Sequence, residues 1–549
     1  MTNDLPEEPP PANADESSAD GLPPYVRALL DPTAFPHAPA AVELVQTHIS
    51  YVFLAGDRVY KTKKPVDFGF VNQLEAETRH QFCIREVELN RRLATDVYLG
   101  VHPVVRFADG RHAILEGEPS ADATVVEWAV QMARLPDDRT LTNLLATDAV
   151  PASLIRQVAA RLVDFHAAAE VVPNDRSFAG AEAERAWWER EQGEAEPFIG
   201  ETWEPAHANT MRTYATALIQ REGSLFDQRL ADGRVVDGHG DLHAMHIYLI
   251  DEEIVIVDCL EFTDWFQFRL LDVGYDVAFL SMDLEARGRP ELGDELAGRY
   301  IAATGDETMP VLQPLHRAFR AFVRGKVESM GAQATEISAE QRQALAESAS
   351  RYFALAARFA ERAKEPMLVL LAGRSGTGKS TVGAALAARI GAAYVSSDVV
   401  RKDMVGIPPR EHVPSDRTAE VYGAEMNNRT YEEMRVRATS HLAAGRAVVL
   451  DATHSRAADR AAALAVARSA RVPALIAELC ITDETALARI AERASDPLAT
   501  SDATAAVFEA QAATFEAIGA SEGTHLALDA SQELSALIEE IAASLGDAG

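Results

Sequence analysis

The sequence predicts an α/β protein built of two unlike units. A small β-rich lobe leads into a larger helical lobe, and a parallel sheet with helices on both faces follows. Three observations carry this. Residues 48–64 and 101–130 read as short antiparallel strands, residues beyond Asp138 follow a helical period, and from Met367 apolar strands alternate with Ala-rich helices. A length of 549 residues suits two large units or three to four ordinary ones. With 47% hydrophobic and 25% charged residues, a wholly disordered or fibrous chain is excluded. Lys and Arg number 52 against 84 Asp and Glu, a net charge of −32. Such a chain repels phosphate backbones on average, which argues against a nucleic-acid partner, and any polyanionic ligand must be held by local positive devices.

Residues 1–20 carry six acidic residues and four prolines without Lys or Arg, so 1–24 is expected to be a disordered tail. Order is expected from Tyr25. His48–Ala55, the turn Gly56-Asp57 and Arg58–Lys64 spell a β-hairpin. A helix is expected over 74–95, a second hairpin at 101–117 and a strand at Ala123–Val130. Helices then dominate until short β-rich segments return at 234–258. Residues 339–364 read as a long amphipathic Ala/Glu/Arg-rich helix ended by Pro366, and this helix is expected to connect the halves. Strands are expected at 367–372, 393–397, 447–451 and 474–480. The expected division is therefore 1–24, 25–338, 339–366 and 367–549.

Cys83, Cys259 and Cys480 lie far apart without a CxxC pair, which suits a reducing cytoplasm better than a disulfide framework. No run of 18 apolar residues and no secretory pattern occurs. A cytoplasmic protein without a membrane partner is the expectation, and oligomeric state is open.

Gly373-Arg-Ser375-Gly376-Thr377-Gly378-Lys379-Ser380 fits GxxxxGK[ST] at every fixed position. It lies between an apolar strand and the helix that Thr381 enters. The glycines let backbone N–H groups converge on phosphate oxygens. Lys379 reaches the outer phosphates and Ser380 ligates Mg²⁺. Asp451, at the end of a strand, is placed to serve the Mg²⁺ shell, with a helix N-cap as the plain alternative. Asp398, one turn before Arg401, suits binding of an acceptor hydroxyl with Asp398 as general base, again against an N-cap.

Residues 367–530 resemble the small P-loop kinases of the shikimate, gluconate, zeta-toxin and polynucleotide-kinase type. The likeness rests on this loop, Ser-Asp398-x-x-Arg401, Leu-Asp451-Ala-Thr-His and Ala488-Arg-Ile-Ala-Glu-Arg493 with Ser501-Asp502-Ala503. It implies a P-loop parallel-sheet domain, phosphoryl transfer from ATP to a hydroxyl, and Arg489 and Arg493 on a lid over the phosphates.

Asp237-Gly-His239-Gly-Asp241-Leu-His243-Ala-Met-His246 precedes the apolar strand Ile254–Val257 and Asp258. The three histidines suit zinc poorly on a loop with no cysteine near. Together with Val59-Tyr-Lys61-Thr-Lys-Lys64-Pro, Glu86, Asp258-Cys-Leu-Glu261-Phe and Asp272-Val-Gly-Tyr-Asp276, the segment resembles aminoglycoside-phosphotransferase-like kinases over residues 40–335. That likeness implies a two-lobed protein-kinase-like α+β fold. Lys61 would contact the α/β-phosphates paired with Glu86, Asp241 would be the base and Asp258 the metal ligand. Residues Gln131–Arg134, Gln131 and Met132 among them, would form the adenine hinge. Lys63 competes with Lys61, and the register within Lys-Thr-Lys-Lys leaves Lys64 open as well. The family carries Asn as second metal ligand where this chain has His246, a poor ligand for Mg²⁺ that suits one-metal chemistry, Mn²⁺ or impairment. The joined arrangement resembles bacterial two-part proteins with an aminoglycoside-phosphotransferase-like half before an AAA-type ATP-binding half.

A bifunctional ATP-dependent phosphotransferase acting on small-molecule hydroxyls, of a sugar, amino sugar or aminoglycoside-like compound, is the leading expectation. Asp272, Asp276, Asp283 and Glu285 are candidates for an acidic acceptor pocket, and Trp187 and Trp188 are read as core rather than sugar-stacking. A P-loop kinase gated by an impaired nucleotide-sensing half is one alternative. Polynucleotide 5′-hydroxyl kinase is the other, and the net charge opposes it.

Overall fold

A computed structural model of the chain describes residues 21–547 apart from 68, 70, 176–178, 262–267, 335–336 and 494–495. The expected disordered tail therefore lies almost entirely outside the described residues. Backbone contacts divide the chain into two units. The first comprises Met1–Pro151, Ala169–Pro173 and Val235–Asp272, and the second Ala152–Ala168, Asn174–Arg234 and Val273–Gly549.

In the first unit, β1 (Val42–Gln46), β2 (Ser50–Ala55), β3 (Arg58–Lys63), β4 (Tyr98–Phe107), β5 (His112–Ile114) and β6 (Ala123–Ala133) form one antiparallel sheet. Its order is β1-β2-β3-β6-β4-β5. The predicted hairpin is present, with Ala55 opposite Arg58 across Gly56-Asp57. Gly56 has φ +68, the positive value such a two-residue turn requires. Strand alternation gives the sheet two apolar faces. Phe53, Tyr60, Val104 and Ala129 pack under Val26 of the short N-terminal helix Pro24–Ala28 and Leu29 just after it. Val130, Tyr98, Trp128 and Met132 pack with Cys83 and Val87 of the helix Ala76–Asn90, shorter than its apolar pattern at both ends. Four short strands complete the unit. β7 (Val235–Asp237) pairs with β10 (Leu270–Asp272), and β8 (Ile247–Ile250) with β9 (Glu253–Ile256). Asp251 and Glu252 turn the β8–β9 hairpin at φ +47 and +67, and Val255 and Val257 join the face that holds Met132.

The second unit joins a helical bundle to a five-stranded sheet. β11 (Leu368–Ala372), β12 (Ala393–Ser396), β13 (Val448–Asp451), β14 (Ala474–Cys480) and β15 (Thr524–Asp529) are all parallel, in the order β12-β13-β11-β14-β15. Four of these strands are the predicted ones, and β15 adds an edge. Every residue of β11, β12 and β13 is buried, as a parallel sheet with both faces covered requires. The helix Ala339–Arg362 starts at a capping box, Ser338 with Gln341. It is a packed layer rather than a bare connector, since Phe353 lies 4.9 Å from the Trp203 ring and against Gly325 of the helix Met309–Ala332. Trp187 and Trp188 are 3% and 2% exposed among Tyr275, Phe319 and Phe322, so they are core.

The bundle grips the sheet domain along the helix Lys379–Ile390. Gly298, in the helix Pro290–Thr304, sits so close that a Cβ there would meet the Ala385 amide nitrogen at 2.9 Å. Asp294, fully buried, accepts from Arg317 at 2.8 Å and from Arg389 at 2.7 Å. The amide of Tyr394 on β12 donates to the Glu307 carbonyl at 3.1 Å. Among the described residues no helix is long and apolar enough to cross a membrane.

Candidate functional site

In the second unit the loop 373–380 leaves β11 and enters the helix Lys379–Ile390, as its motif requires. Gly373 and Gly376 have φ +138 and +80, and a Cβ would come within 2.7 Å of the Leu479 carbonyl or 2.5 Å of the Ala486 carbonyl. Only glycine lets the loop lie this close to β14 and to the helix Asp483–Arg493. Lys379 donates to the Arg374 carbonyl at 2.8 Å, and burial lowers its amine against the pull of Asp451 and Asp398. Asp451 is not an N-cap. It is 3% exposed at the end of β13 and accepts from the Tyr394 hydroxyl at 2.6 Å. Burial raises its carboxyl, opposed by Lys379 and by a bond from Ser380.

Asp398 is not a cap either, because Ser396 holds the N-cap position of its helix. Its carboxylate accepts from Arg401 at 2.9 Å, and Arg401 also donates to Asn427 at 3.1 Å and lies over the Tyr422 ring. Arg489 donates to the Ala530 carbonyl at 3.0 Å while its Nη1 lies beside Gly378. Arg493 donates to the Ala503 carbonyl at 2.8 Å. A cavity of about 1040 Å³ brings together Ser375, Gly376, Gly378, Lys379, Ser380, Thr381, Asp398, Arg401, Asp451, Arg489 and Arg493. Gly373 and Thr377 stand behind it. Gly373 N–H donates to the Thr453 carbonyl at 3.2 Å, and the Thr377 hydroxyl donates to the Arg374 carbonyl at 2.9 Å.

Sequence reasoning missed several residues here. Tyr394 orients Asp451, and Gln511 accepts from the Ser375 amide at 2.7 Å. Tyr422 and His412 meet Asp502, itself part of the 501–503 motif, at 2.7 and 2.6 Å. Tyr394 lies within the expected strand 393–397, but nothing local in the sequence pairs it with Asp451. Gln511 and His412 carry no motif.

In the first unit Lys61 and Lys63, two apart on β3, point to one face. Lys61 Nζ lies 3.0 Å from Glu86 and 3.1 Å from Asp258. Lys63 Nζ is 2.8 Å from Glu86 and also bonded to Glu261, with 1% of its side chain exposed against 13% for Lys61. Lys64 turns away and donates to the Thr47 carbonyl at 2.6 Å. Against burial, which alone would lower it, Asp258 and Glu86 hold the Lys61 amine well above its usual range. Asp258 sits at φ +67, and Lys61 and His246 hold its carboxyl well below the usual range although burial pushes it up.

Asp241 follows Gly240, where a Cβ would collide with the Phe268 carbonyl at 2.4 Å. Its carboxylate lies 3.6 Å from His243 and 3.8 Å from His246. The ligand atoms of Asp241, His243 and His246 lie within 4.8 Å of one another. His246 Nδ1 is 2.8 Å from the Asp241 carbonyl, which only accepts, so the neutral ring carries its proton there. Its bare Nε2 then faces Asp258 at 3.4 Å. Burial and the neighbouring His243 lower its pKa, which favours that neutral form. His239 belongs to no ligand set, because its two nitrogens meet the Val257 carbonyl and the Asp241 amide.

Along β6 the Gln131 side chain bonds Tyr60 and His102 on one face, while Met132 faces Val255 and Val257 on the other. One expectation needs correction: the acidic acceptor pocket does not form. Asp276 is buried against His166 at 3.2 Å, Asp283 pairs with Arg287 and Glu285 with Arg362, because the helix Val273–Ala286 is buried on nearly every side.

Residues 368–518 match the AAA domain family. The chain is 32% identical over 476 residues to Uncharacterized protein Rv2004c of Mycobacterium tuberculosis, covering 86% of this chain and 90% of that one. Among solved structures, it resembles a choline/ethanolamine kinase family protein from Mesorhizobium loti at 12% identity, covering 59% of this chain and 96% of that chain with a TM-score of 0.34. A gluconokinase from Sinorhizobium meliloti matches at 20% identity over 33% of this chain and 93% of its own, with a TM-score of 0.24.

Proposed function

Taking as premise that the chain belongs to one family with the mycobacterial protein Rv2004c, we propose that it is an ATP-dependent phosphotransferase with two sites, each acting on a small-molecule hydroxyl. The observation that carries this is the loop 373–380, set between strand and helix with Lys379, Ser380, Asp451 and Asp398 converging on one cavity. The oxygen donors Ser380 and Asp451 suit a hard ion such as Mg²⁺. In the first unit, a bare imidazole nitrogen facing a carboxylate, with a second carboxylate near, suits Mn²⁺ better than Mg²⁺, which prefers oxygen throughout. When bound, such an ion neutralises charge on the phosphate oxygens.

The chain's own groups do the rest. Backbone N–H groups of the loop and Lys379 hold the β- and γ-phosphates, and Arg489 and Arg493 stabilise charge that develops on the transferring phosphoryl group. Asp398, fixed by Arg401, orients the acceptor hydroxyl and takes its proton. In the first unit Lys61 draws the α/β-phosphates while Glu86 holds it in place, and Asp241 orients the acceptor hydroxyl. Asp258, with His246 facing it, would hold the ion.

The test is untargeted mass spectrometry of a metabolite extract incubated with ATP and Mg²⁺ or Mn²⁺. Intact protein is compared with Asp241→Asn and Lys379→Ala. Each substitution is expected to remove its own phosphorylated product. Loss of every product through Lys379→Ala alone makes the first unit a nucleotide sensor instead, and no product with any protein sinks the reading.

A further inference from the structure

The cavity over the phosphate loop is not walled by the sheet domain alone. Arg156 of the helix Leu154–Ala168 and Arg299 of the helix Pro290–Thr304 also line it, both from the helical bundle of the same unit. Neither helix carries a recognisable motif, and neither arginine is spent on a buried ion pair. Arg156 has Glu492 at 3.7 Å, beyond hydrogen-bond distance. Arg299 donates through Nε to Glu295 on its own helix at 2.7 Å, leaving Nη1 at 3.6 Å from Asp496. Their side chains are 33% and 26% exposed.

The wider lining makes the same point. Seven Lys and Arg side chains face six carboxylates there, in a chain whose acids outnumber its bases by 84 to 52. Lys379, Arg489 and Arg493 are accounted for by a nucleotide's phosphates, Arg401 is held by Asp398 and Asn427, and Arg456 belongs to the sheet domain's own wall, at the N-cap of the helix Ala457–Ala470. Arg156 and Arg299 are thus cations without a use in ATP binding. Both line the same cavity, and the Gly298–Ala385 contact packs the helix of Arg299 onto the phosphate-loop helix.

We propose that Arg156 and Arg299 complete the acceptor pocket of the phosphate-loop site and select an anionic acceptor, a hydroxyl compound that also carries a carboxylate or phosphate group. A guanidinium offers the planar paired donors that such a group accepts, and its hydrogen bonds to an anion are worth about 10–100-fold in affinity. The inference rests on the phosphotransferase reading of this site. It gives the bundle a direct part in choosing the substrate.

The test uses full-length protein with ATP, Mg²⁺ and a panel of hydroxy acids, phosphosugars, neutral sugars and amino sugars. Turnover that Lys379→Ala abolishes is expected with the acids or phosphosugars. Arg156→Ala and Arg299→Ala are expected to raise the acceptor KM about 10–100-fold each while the KM for ATP moves less than about twofold. Arg299→Lys is expected to recover part of the loss, which a merely structural role for Arg299 would not produce. Equal or better turnover of neutral or cationic acceptors overturns the proposal. So does an acceptor KM that stays within about twofold in both alanine variants. Turnover of no acceptor at all, or turnover indifferent to Lys379→Ala, instead removes the phosphotransferase reading on which the proposal stands.

Discussion

Replacing Lys63 and Lys61 by methionine, one at a time, separates a lysine that holds the fold from one that serves the site. Lys63 lies 1% exposed between Glu86 and Glu261, themselves 0% and 4% exposed. Lys63→Met leaves these carboxylates together in the interior with one cation, Lys61, to share. Breaking a buried pair in this way costs about 3–5 kcal/mol, and a unit of this size loses roughly 2–4 °C per kcal/mol, so a fall of about 6–20 °C is expected. Lys61→Met leaves Glu86 still bonded to Lys63, and Asp258, with 43% of its side chain exposed, takes up water. Its cost lies between that of an exposed pair and a buried one, below about 2 kcal/mol. Calorimetry, with hydrogen exchange over residues 50–63 to follow this unit, reads the stability. Asp241-dependent turnover below both melting points reads function, which Lys61→Met is expected to lower at least about 100-fold and Lys63→Met far less. The reasoning fails if Lys61→Met is the less stable variant, or if folded Lys63→Met is as inactive as Lys61→Met.

Two further outcomes follow from buried ionisable groups in the second unit. His454 is 1% exposed with Nδ1 on the Leu371 carbonyl, and burial lowers its pKa to about 4. Above pH 6.5 it is neutral folded or unfolded; as pH falls toward 4 only the unfolded chain takes the proton. Stability should therefore drop by about 3 kcal/mol over that window. His454→Asn keeps a donor for Leu371 and should lack this part of the pH dependence in denaturant melts at pH 7, 5.5 and 4.5; parallel profiles would refute it. Asp294→Ala leaves Arg317 and Arg389 facing each other without their carboxylate and should cost about 3–5 kcal/mol in thermal unfolding, whereas a loss under about 1 kcal/mol would show that solvent reaches the site.

What the sequence made legible was local. Gly56-Asp57 between alternating strands, and GxxxxGKS between an apolar strand and a helix, each state their geometry within a dozen residues. The two lysines of β3 could not be told apart, because a period of two puts both on one face. Burial by Glu261, some two hundred residues on, is what distinguishes them. The strand Thr524–Asp529 escaped notice because an edge strand with only Leu528 well buried shows little apolar signal. Asp276 and Glu285 looked like a charged surface only because their partners, His166 and Arg362, come from distant helices.

The missing side chain of Gly298 also bears on how this protein can be divided. A gene fragment that starts at Met367 would carry the whole phosphate-binding motif yet leave the Ala385 side of its first helix bare and strip Arg389 of its buried carboxylate. Such a fragment would be a sticky, cation-bearing orphan, and its silence in an assay would say nothing about catalysis. Splitting the gene there would instead create two polypeptides obliged to find each other again. Nature's own experiments in fission, if sought among relatives, should therefore fall in loops of the first unit and spare this joint.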